Sequence, residues 1–383
     1  MRNAGRLGVR FLFVLSVVPI AMTAAAQTTG TDAQDPSPAP ALPLKYGGWV
    51  FSALADGYIT YNGNHPASGA NRLYNFNTQD GQPELSLAKI TIDKSDWVLG
   101  LHIDAGIGET MRLIHAGDPA AIDHKALRYL EQAYAIVKPS HTRGAEFDFG
   151  QFNSSAGAEV LESNADWNYS RSLLFAWAIP AYEFGFRSSV PISKDFSVGF
   201  QLVNAWNTVW GNNDLKTVGI TTAFTRPKYT WSVNYYEGPN HVGTTAGKRN
   251  LLDTTVLLTP DSKFNAYVNF DYGQDNHIGT AAGHDKWTGI AAAARYQLRR
   301  KIAVAARIEW FGDQTGFATG VIQNLKQVTI TGEYKHNKHL LTRLEYRHDW
   351  SDQPFYELGS AGAAKTYMDT LTLGVVVSAG PYK

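Results

Sequence analysis

The chain has 383 residues, 34 basic and 34 acidic side chains and no cysteine. That balance excludes a disulfide framework and any thiolate metal site or nucleophile, and it argues against a general nucleic-acid binder. Ten Trp, 19 Tyr and 18 Phe beside 35 Gly fit strands with one face in oil and the other in water, and no stretch past the N-terminal segment holds the roughly 18 consecutive apolar residues of a spanning helix.

Arg2, Arg6 and Arg10 form a basic start, Phe11 to Ala21 an apolar run, and Ala24-Ala25-Ala26 a small-residue cleavage site. Residues 1–26 therefore read as a secretory signal peptide. The apolar run is interrupted at Pro19 and is shorter than the roughly 20 residues a spanning helix needs. Residues 27–43, with Pro36, Pro38, Pro40 and Pro43, read as a flexible leader, and 44–380 as one barrel.

From Leu44 onward, period-two patterning predicts strands at 44–61, 84–93, 96–109, 127–138, 145–152, 181–192, 195–206, 216–226, 229–237, 249–259, 263–273, 286–299, 301–311, 325–336, 338–349 and 366–379. That is about sixteen, an even number, as a closed antiparallel barrel requires. The connections sort by parity. Even strands lead into tight turns such as Lys94-Ser95, Ser193-Lys194 and Pro227-Lys228, apart from the somewhat longer Pro139 to Gly144, while odd strands lead into long polar segments such as 62–83, 153–180 and 350–365. Short turns on one rim and long loops on the other are the asymmetry of an outer-membrane barrel, with the turns periplasmic and the loops extracellular. The fold class expected is thus an all-β transmembrane antiparallel barrel.

Alternation assigns faces. Ile302, Val304, Ala306, Ile308 and Trp310 lie opposite Ala303, Ala305, Arg307 and Glu309; Val328, Ile330 and Tyr334 lie opposite Thr329, Thr331, Glu333 and Lys335; Leu344 and Tyr346 oppose Arg343, Glu345 and Arg347; Trp97, Leu99, Leu101 and Ile103 oppose His102 and Asp104; Phe184 and Phe186 oppose Glu183 and Arg187. The first, second and fourth strands alternate too weakly for a face to be assigned. Tyr46, Trp206, Trp210, Tyr272, Trp287, Trp310, Tyr346 and Trp350 sit near strand ends and are expected to form interfacial girdles.

The candidate functional groups are the inward charges. Arg187, Arg295, Arg307, Arg343 and Arg347 together with Asp104, Asp148, Glu183, Glu309 and Glu345 are expected to line a pore, where opposed charges set ion preference; cross-strand ion pairing that keeps the wall polar is the plainer reading of each. The segment 153–180 starts at the long-loop rim yet carries Leu173-Leu174-Phe175-Ala176-Trp177 after Asp166, Tyr169 and Arg171. Such a run suits either packing across the rim or a loop folded inward as a constriction, the second favoured because a barrel of this strand number needs filling. The eleven histidines show no metal-ligand spacing. No metal, cofactor or catalytic residue is expected; a His102–Asp104 dyad lacks a recognisable nucleophile.

Glu84 to Asp93, Leu130-Glu131-Gln132-Ala133-Tyr134, Phe149-Gly150-Gln151-Phe152, Asn168-Tyr169-Ser170-Arg171-Ser172 and Gly185-Phe186-Arg187 together resemble the OmpL-like β-barrel porins (porin-2 type) of Gram-negative outer membranes. The resemblance spans most of the chain after Pro43 and implies a single-chain barrel for passive solute passage, with no defined substrate. The function expected is therefore an outer-membrane porin for small hydrophilic solutes and ions, in contact with outer-membrane lipids, as a homotrimer or a monomer. The alternative is a plugged barrel that recognises a ligand at the cell surface.

Overall fold

The computed structural model describes residues 44–95, 98–211, 213–276, 283–359 and 362–380. The signal and leader segments and Trp97 lie outside them. Sixteen antiparallel strands form the wall: β1 (Trp49–Asn62), β2 (Pro83–Lys94), β3 (Leu99–Ile107), β4 (Leu130–Val137), β5 (Glu146–Asn153), β6 (Tyr182–Pro191), β7 (Phe196–Val203), β8 (Thr217–Arg226), β9 (Tyr229–Gly238), β10 (Arg249–Leu258), β11 (Phe264–Asn276), β12 (His284–Arg299), β13 (Ile302–Asp313), β14 (Gln323–Asn337), β15 (Leu340–Ser351) and β16 (Tyr367–Ala379). Each pairs with its sequence neighbours, and β16 closes on β1 from Thr370↔Asn62 to Ala379↔Ala53. The extra segment Leu44–Tyr46 folds back onto Trp49–Phe51.

Closure leaves no open edge. It also leaves each strand one outer and one inner face, so the sequence alternation becomes a radial one. On β13, β14 and β15 the outward Ile308, Ile330 and Leu344 are each more than half exposed, while the inward Arg307, Thr329 and Arg343 are buried. The connections sort by parity as well: β8 and β9 are joined by residues 227–228, whereas β5 and β6 are joined by residues 154–181; the turn 138–145 is the long exception.

The faces of the weakly alternating strands follow from two bulges. Register slips between Asp56/Gly57 of β1 and Leu87/Leu85 of β2, so Ser86 is an extra residue. It slips again between Asp104/Ala105 of β3 and Gln132/Leu130 of β4, so Glu131 is extra. Each bulge puts two consecutive residues out of solvent, Ser86 with Leu87 and Glu131 with Gln132, which breaks a period-two signal.

Aromatics ring both outer rims: Tyr61, Tyr272, Trp310, Tyr346, Trp350 and Tyr367 at the loop end, Phe224, Tyr229, Trp231, Phe264, Tyr296 and Tyr334 at the turn end. Trp206 and Trp287 do not join them, contrary to expectation. Trp287 shares the inward parity of Ala291 and Ala293 and is buried. It stacks on Phe317 at 5.4 Å and meets Trp206 edge-on at 6.2 Å. The room comes from Gly273, its cross-strand partner, where a Cβ would lie 1.8 Å from the indole. A strand-end aromatic belongs to a girdle only when its parity points outward.

A charge in the outward stripe tests this assignment. Ile308→Arg is expected to cost about 2–4 kcal/mol, the penalty for a basic side chain near the midplane of the lipid face. Urea unfolding of vesicle-inserted protein measures it, and an unchanged midpoint would place Ile308 elsewhere.

Candidate functional site in the barrel lumen

The loop 154–181 enters the lumen and is held there by the inward charges of β13–β15. Arg307 of β13 donates from Nη1 to Glu159 Oε1 at 2.7 Å and to the Ser170 carbonyl at 2.7 Å, from Nη2 to the Arg171 carbonyl at 3.0 Å, and from Nε to Glu309 at 2.8 Å. Arg343 donates to the carbonyls of Ser163 and Asp166 and to Glu333. Arg347 reaches the Arg171 carbonyl at 2.9 Å and pairs with Asp349 at 2.7 Å. In the other direction, Glu345 accepts the backbone N–H groups of Tyr169 (2.6 Å) and Ser170 (2.9 Å), and Glu309 accepts that of Leu173 (2.7 Å). Wall arginines thus satisfy loop carbonyls and wall glutamates satisfy loop N–H groups, which is how irregular backbone survives burial.

The three loop residues singled out from sequence are all in this interface. Asp166 pairs with Arg171 at 3.0 Å, and Arg171 caps the carbonyls of Val160, Leu161 and Tyr169. Tyr169 donates its hydroxyl to Asp56 of β1 at 2.8 Å, and its ring lies on Gly374 of β16, where a Cβ would come within 2.2 Å of it. The apolar run Leu173–Trp177 forms a one-turn helix, α1, capped by Ser172. It packs near the loop end of the lumen in a cluster with Leu73, Tyr74 and Phe76 of the loop 63–82 and Phe311 of β13. Its burial accounts for a hydrophobic stretch inside a polar connection.

Across the lumen, a second nest joins wall to loop. Lys89 of β2 pairs with Asp104 of β3 (3.0 Å), with Glu131 of the β4 bulge (3.1 Å) and with Glu162 of the inward loop. His102 has one ring nitrogen 3.0 Å from Asp93 and the other 3.1 Å from Asp104. With both nitrogens engaged by carboxylates, the ring has none left to activate a serine, so the dyad reading fails on geometry. Lys89, Asp56, Glu131 and Glu159 are not among the inward charges expected from sequence. The first three lie on or beside bulged strands, and Glu159 is a loop residue with no periodicity to read.

The third sector, β5–β7, is built differently. Arg187 of β6 lies between the rings of Tyr134 (4.9 Å) and Phe152 (4.3 Å) and donates from Nε to Asp148 of β5 at 2.8 Å. Its Nη1 and Nη2, both carboxylate oxygens of Glu183, Oδ1 of Asp148 and Oε1 of Gln201 have no protein partner although all four residues are buried. A cavity of about 10 Å³ is lined by Glu146, Asp148, Ser155, Arg187, Gln201 and Thr221, room for about one water. Arg295, by contrast, is paired with Glu333 at 2.7 Å. All ten wall charges expected from sequence therefore face inward, but they divide into a saturated set and an unsaturated one.

This chain matches the model of the family described as "Putative beta-barrel porin-2, OmpL-like" over residues 48–378. It belongs to that family. As the family and the closed sixteen-strand wall imply, the protein resides in the outer membrane, with its turns in the periplasm and its loops outside. Solved structures agree on the fold. OmpT of Vibrio cholerae is 13% identical at a TM-score of 0.56, covering 88% of this chain and 99% of its own. The anion-selective porin of Comamonas acidovorans is 11% identical at 0.60, covering 86% and 99%. OmpF of Salmonella typhi is 13% identical at 0.57, covering 86% and 97%. No curated protein sequence is significantly similar.

Loop 108–129 closes over the same end of this porin-2 barrel through Asp118. Its carboxylate accepts from the Ala120 N–H (2.9 Å), Tyr182 OH (2.7 Å), Thr208 Oγ1 (3.2 Å) and the Val209 N–H (3.3 Å). Burial raises its pKa, but the His115 ring 3.9 Å away and the bonds from Tyr182 and the two N–H groups outweigh that and hold it below the usual carboxylate range. A lowered folded pKa means the stabilisation is present above about pH 4 and is lost as pH falls through the lowered value.

Two outcomes follow from these contacts. Protease access to 108–129 is expected to rise on acidification, and to be raised already at neutral pH in Asp118→Asn; an acid step identical in both proteins would refute the assignment. Arg307→Ala strands Glu159 and Glu309 without their cation and is expected to destabilise the barrel by about 3–5 kcal/mol, read by denaturant unfolding, with protease cleavage appearing inside 154–181.

Proposed function

We propose that this porin is a narrow diffusion channel for small hydrophilic solutes and ions, whose passage follows the seam between the root of loop 154–181 and β5–β7. The observation that carries the reading is the unsaturated set. Buried polar atoms that lack a protein partner are costly unless hydrated, and those of Arg187, Glu183, Asp148 and Gln201 gather in one sector of the lumen wall, beside Ser155 where the loop turns inward. The β13–β15 sector, with its arginines bound to loop carbonyls, anchors the loop; Arg187, Asp148 and Glu183 filter by charge. At its narrowest the seam admits water and small ions, and larger solutes require the loop to yield. Asp104 acts with Lys89 as a second anchor.

Self-association is part of the reading, because a trimer form of Vibrio cholerae OmpT has been solved; light scattering in detergent measures it. The competing reading is a plugged, surface-binding barrel, favoured by the density of bonds between loop and wall. Planar-bilayer recordings under a salt gradient separate the two. Discrete openings are expected, with Arg187→Glu shifting the reversal potential toward cations. A folded, inserted protein that stays silent would favour the plug.

A further inference from the structure

The periplasmic rim is strongly and one-sidedly basic. The seven turns 95–98, 138–145, 192–195, 227–228, 259–263, 300–301 and 338–339 carry eight Lys and Arg against three acids, Asp96, Asp195 and Asp261, in a chain whose formal net charge is zero. The extracellular connections carry no such surplus: the eight loops 63–82, 108–129, 154–181, 204–216, 239–248, 277–283, 314–322 and 352–366 hold eight basic residues against ten acids. The lumen does not explain the basic rim either, since Lys194, Arg226 and Lys228 are exposed at the ends of the wall.

Above three of these cations the lipid-facing wall is grooved. Phe196 of β7, Thr222 and Phe224 of β8, and Tyr229, Trp231 and Val233 of β9 line an almost wholly apolar trough. They belong together by register: Phe224 lies opposite both Phe196 and Trp231, and Thr222 opposite Val233. The basic residues are built onto the foot of this trough. Lys194 precedes Phe196 by two positions, Lys228 adjoins Tyr229, and the Arg226 guanidinium lies 5.2 Å from the Phe224 ring while pairing with Asp195 at 3.1 Å. The Arg226 side chain remains 43% exposed despite that pair.

We infer that this trough and its basic foot form a docking site for one anionic phospholipid of the periplasmic leaflet. An acyl chain lies along the Phe224–Trp231 trough and the phosphate sits among Lys194, Arg226 and Lys228. The trough is on the outer wall within the apolar band, so its natural occupant is hydrocarbon; the surplus of cations at its foot selects a net negative headgroup over a zwitterionic one, by the same attraction that draws basic segments to anionic leaflets. Arg226, over the Phe224 ring and already oriented by Asp195, offers its remaining guanidinium donors to a phosphate.

The test uses the full barrel in phosphatidylcholine vesicles with and without phosphatidylglycerol, followed by thermal unfolding and by native mass spectrometry of the detergent-extracted protein. Phosphatidylglycerol is expected to raise the unfolding midpoint by a few degrees at low salt, less at high salt, with one lipid retained in the spectrum. The triple variant Lys194→Gln, Arg226→Gln, Lys228→Gln is expected to lose both effects. Lys335→Gln with Lys338→Gln, which removes charge from the rim away from the trough, is expected to keep them. No shift with phosphatidylglycerol, or an equal loss in the control, would overturn the site. Conductance does not enter, so the result stands apart from the channel reading.

Discussion

In hydrocarbon no water is present to satisfy a backbone N–H or C=O, so a strand that crosses it must be paired on both sides. Closure of β16 on β1 meets that condition, and the remaining architecture follows from it. Sixteen strands close around a lumen too wide for the side chains of the wall alone to fill. The outer face must be apolar along its whole circumference. The inner face, freed from that demand, holds a large share of the chain's charge.

An interior of that width with charged walls creates a second problem, and loop 154–181 is its solution. A loop buried inside a barrel exposes carbonyls and N–H groups to the same shortage of water that closure relieved in the wall. Arg307, Arg343 and Arg347 supply donors in forks that suit clustered carbonyls, and Glu345 and Glu309 supply acceptors for N–H groups at the turn before α1. Charges that sequence alone marks as pore electrostatics therefore serve largely as backbone ligands. Where the loop departs from the wall, at β5–β7, the same kinds of side chain are left with unpaired atoms. The proposed filter and the scaffold are thus made from one alphabet and are distinguished by whether the loop covers them.

The outer surface shows a comparable division. Both rims carry aromatics, but only the periplasmic one carries a surplus of Lys and Arg. Short turns have little else to offer than their flanking residues, so charge placed there is held close to the wall and to the lipid beside it, whereas charge in the long loops is taken up by contacts among loops, as at Asp118.

The sequence by itself determined the wall. Alternation on β6 and β13–β15, the parity of loop lengths and the resemblance carried by segments such as Glu84 to Asp93 are local properties, each readable within a dozen residues because side-chain direction in a strand is fixed by count. It did not determine the faces of β2 and β4, since one bulged residue in each reverses that count, and it misplaced Trp287, whose pocket is made by Gly273 on another strand. Tertiary structure alone decided which inward charges are saturated. The loop partners of Arg307 are Glu159, Ser170 and Arg171, more than 130 positions away in sequence, and a side chain's free valences depend on what the folded loop brings to it, which no local pattern encodes.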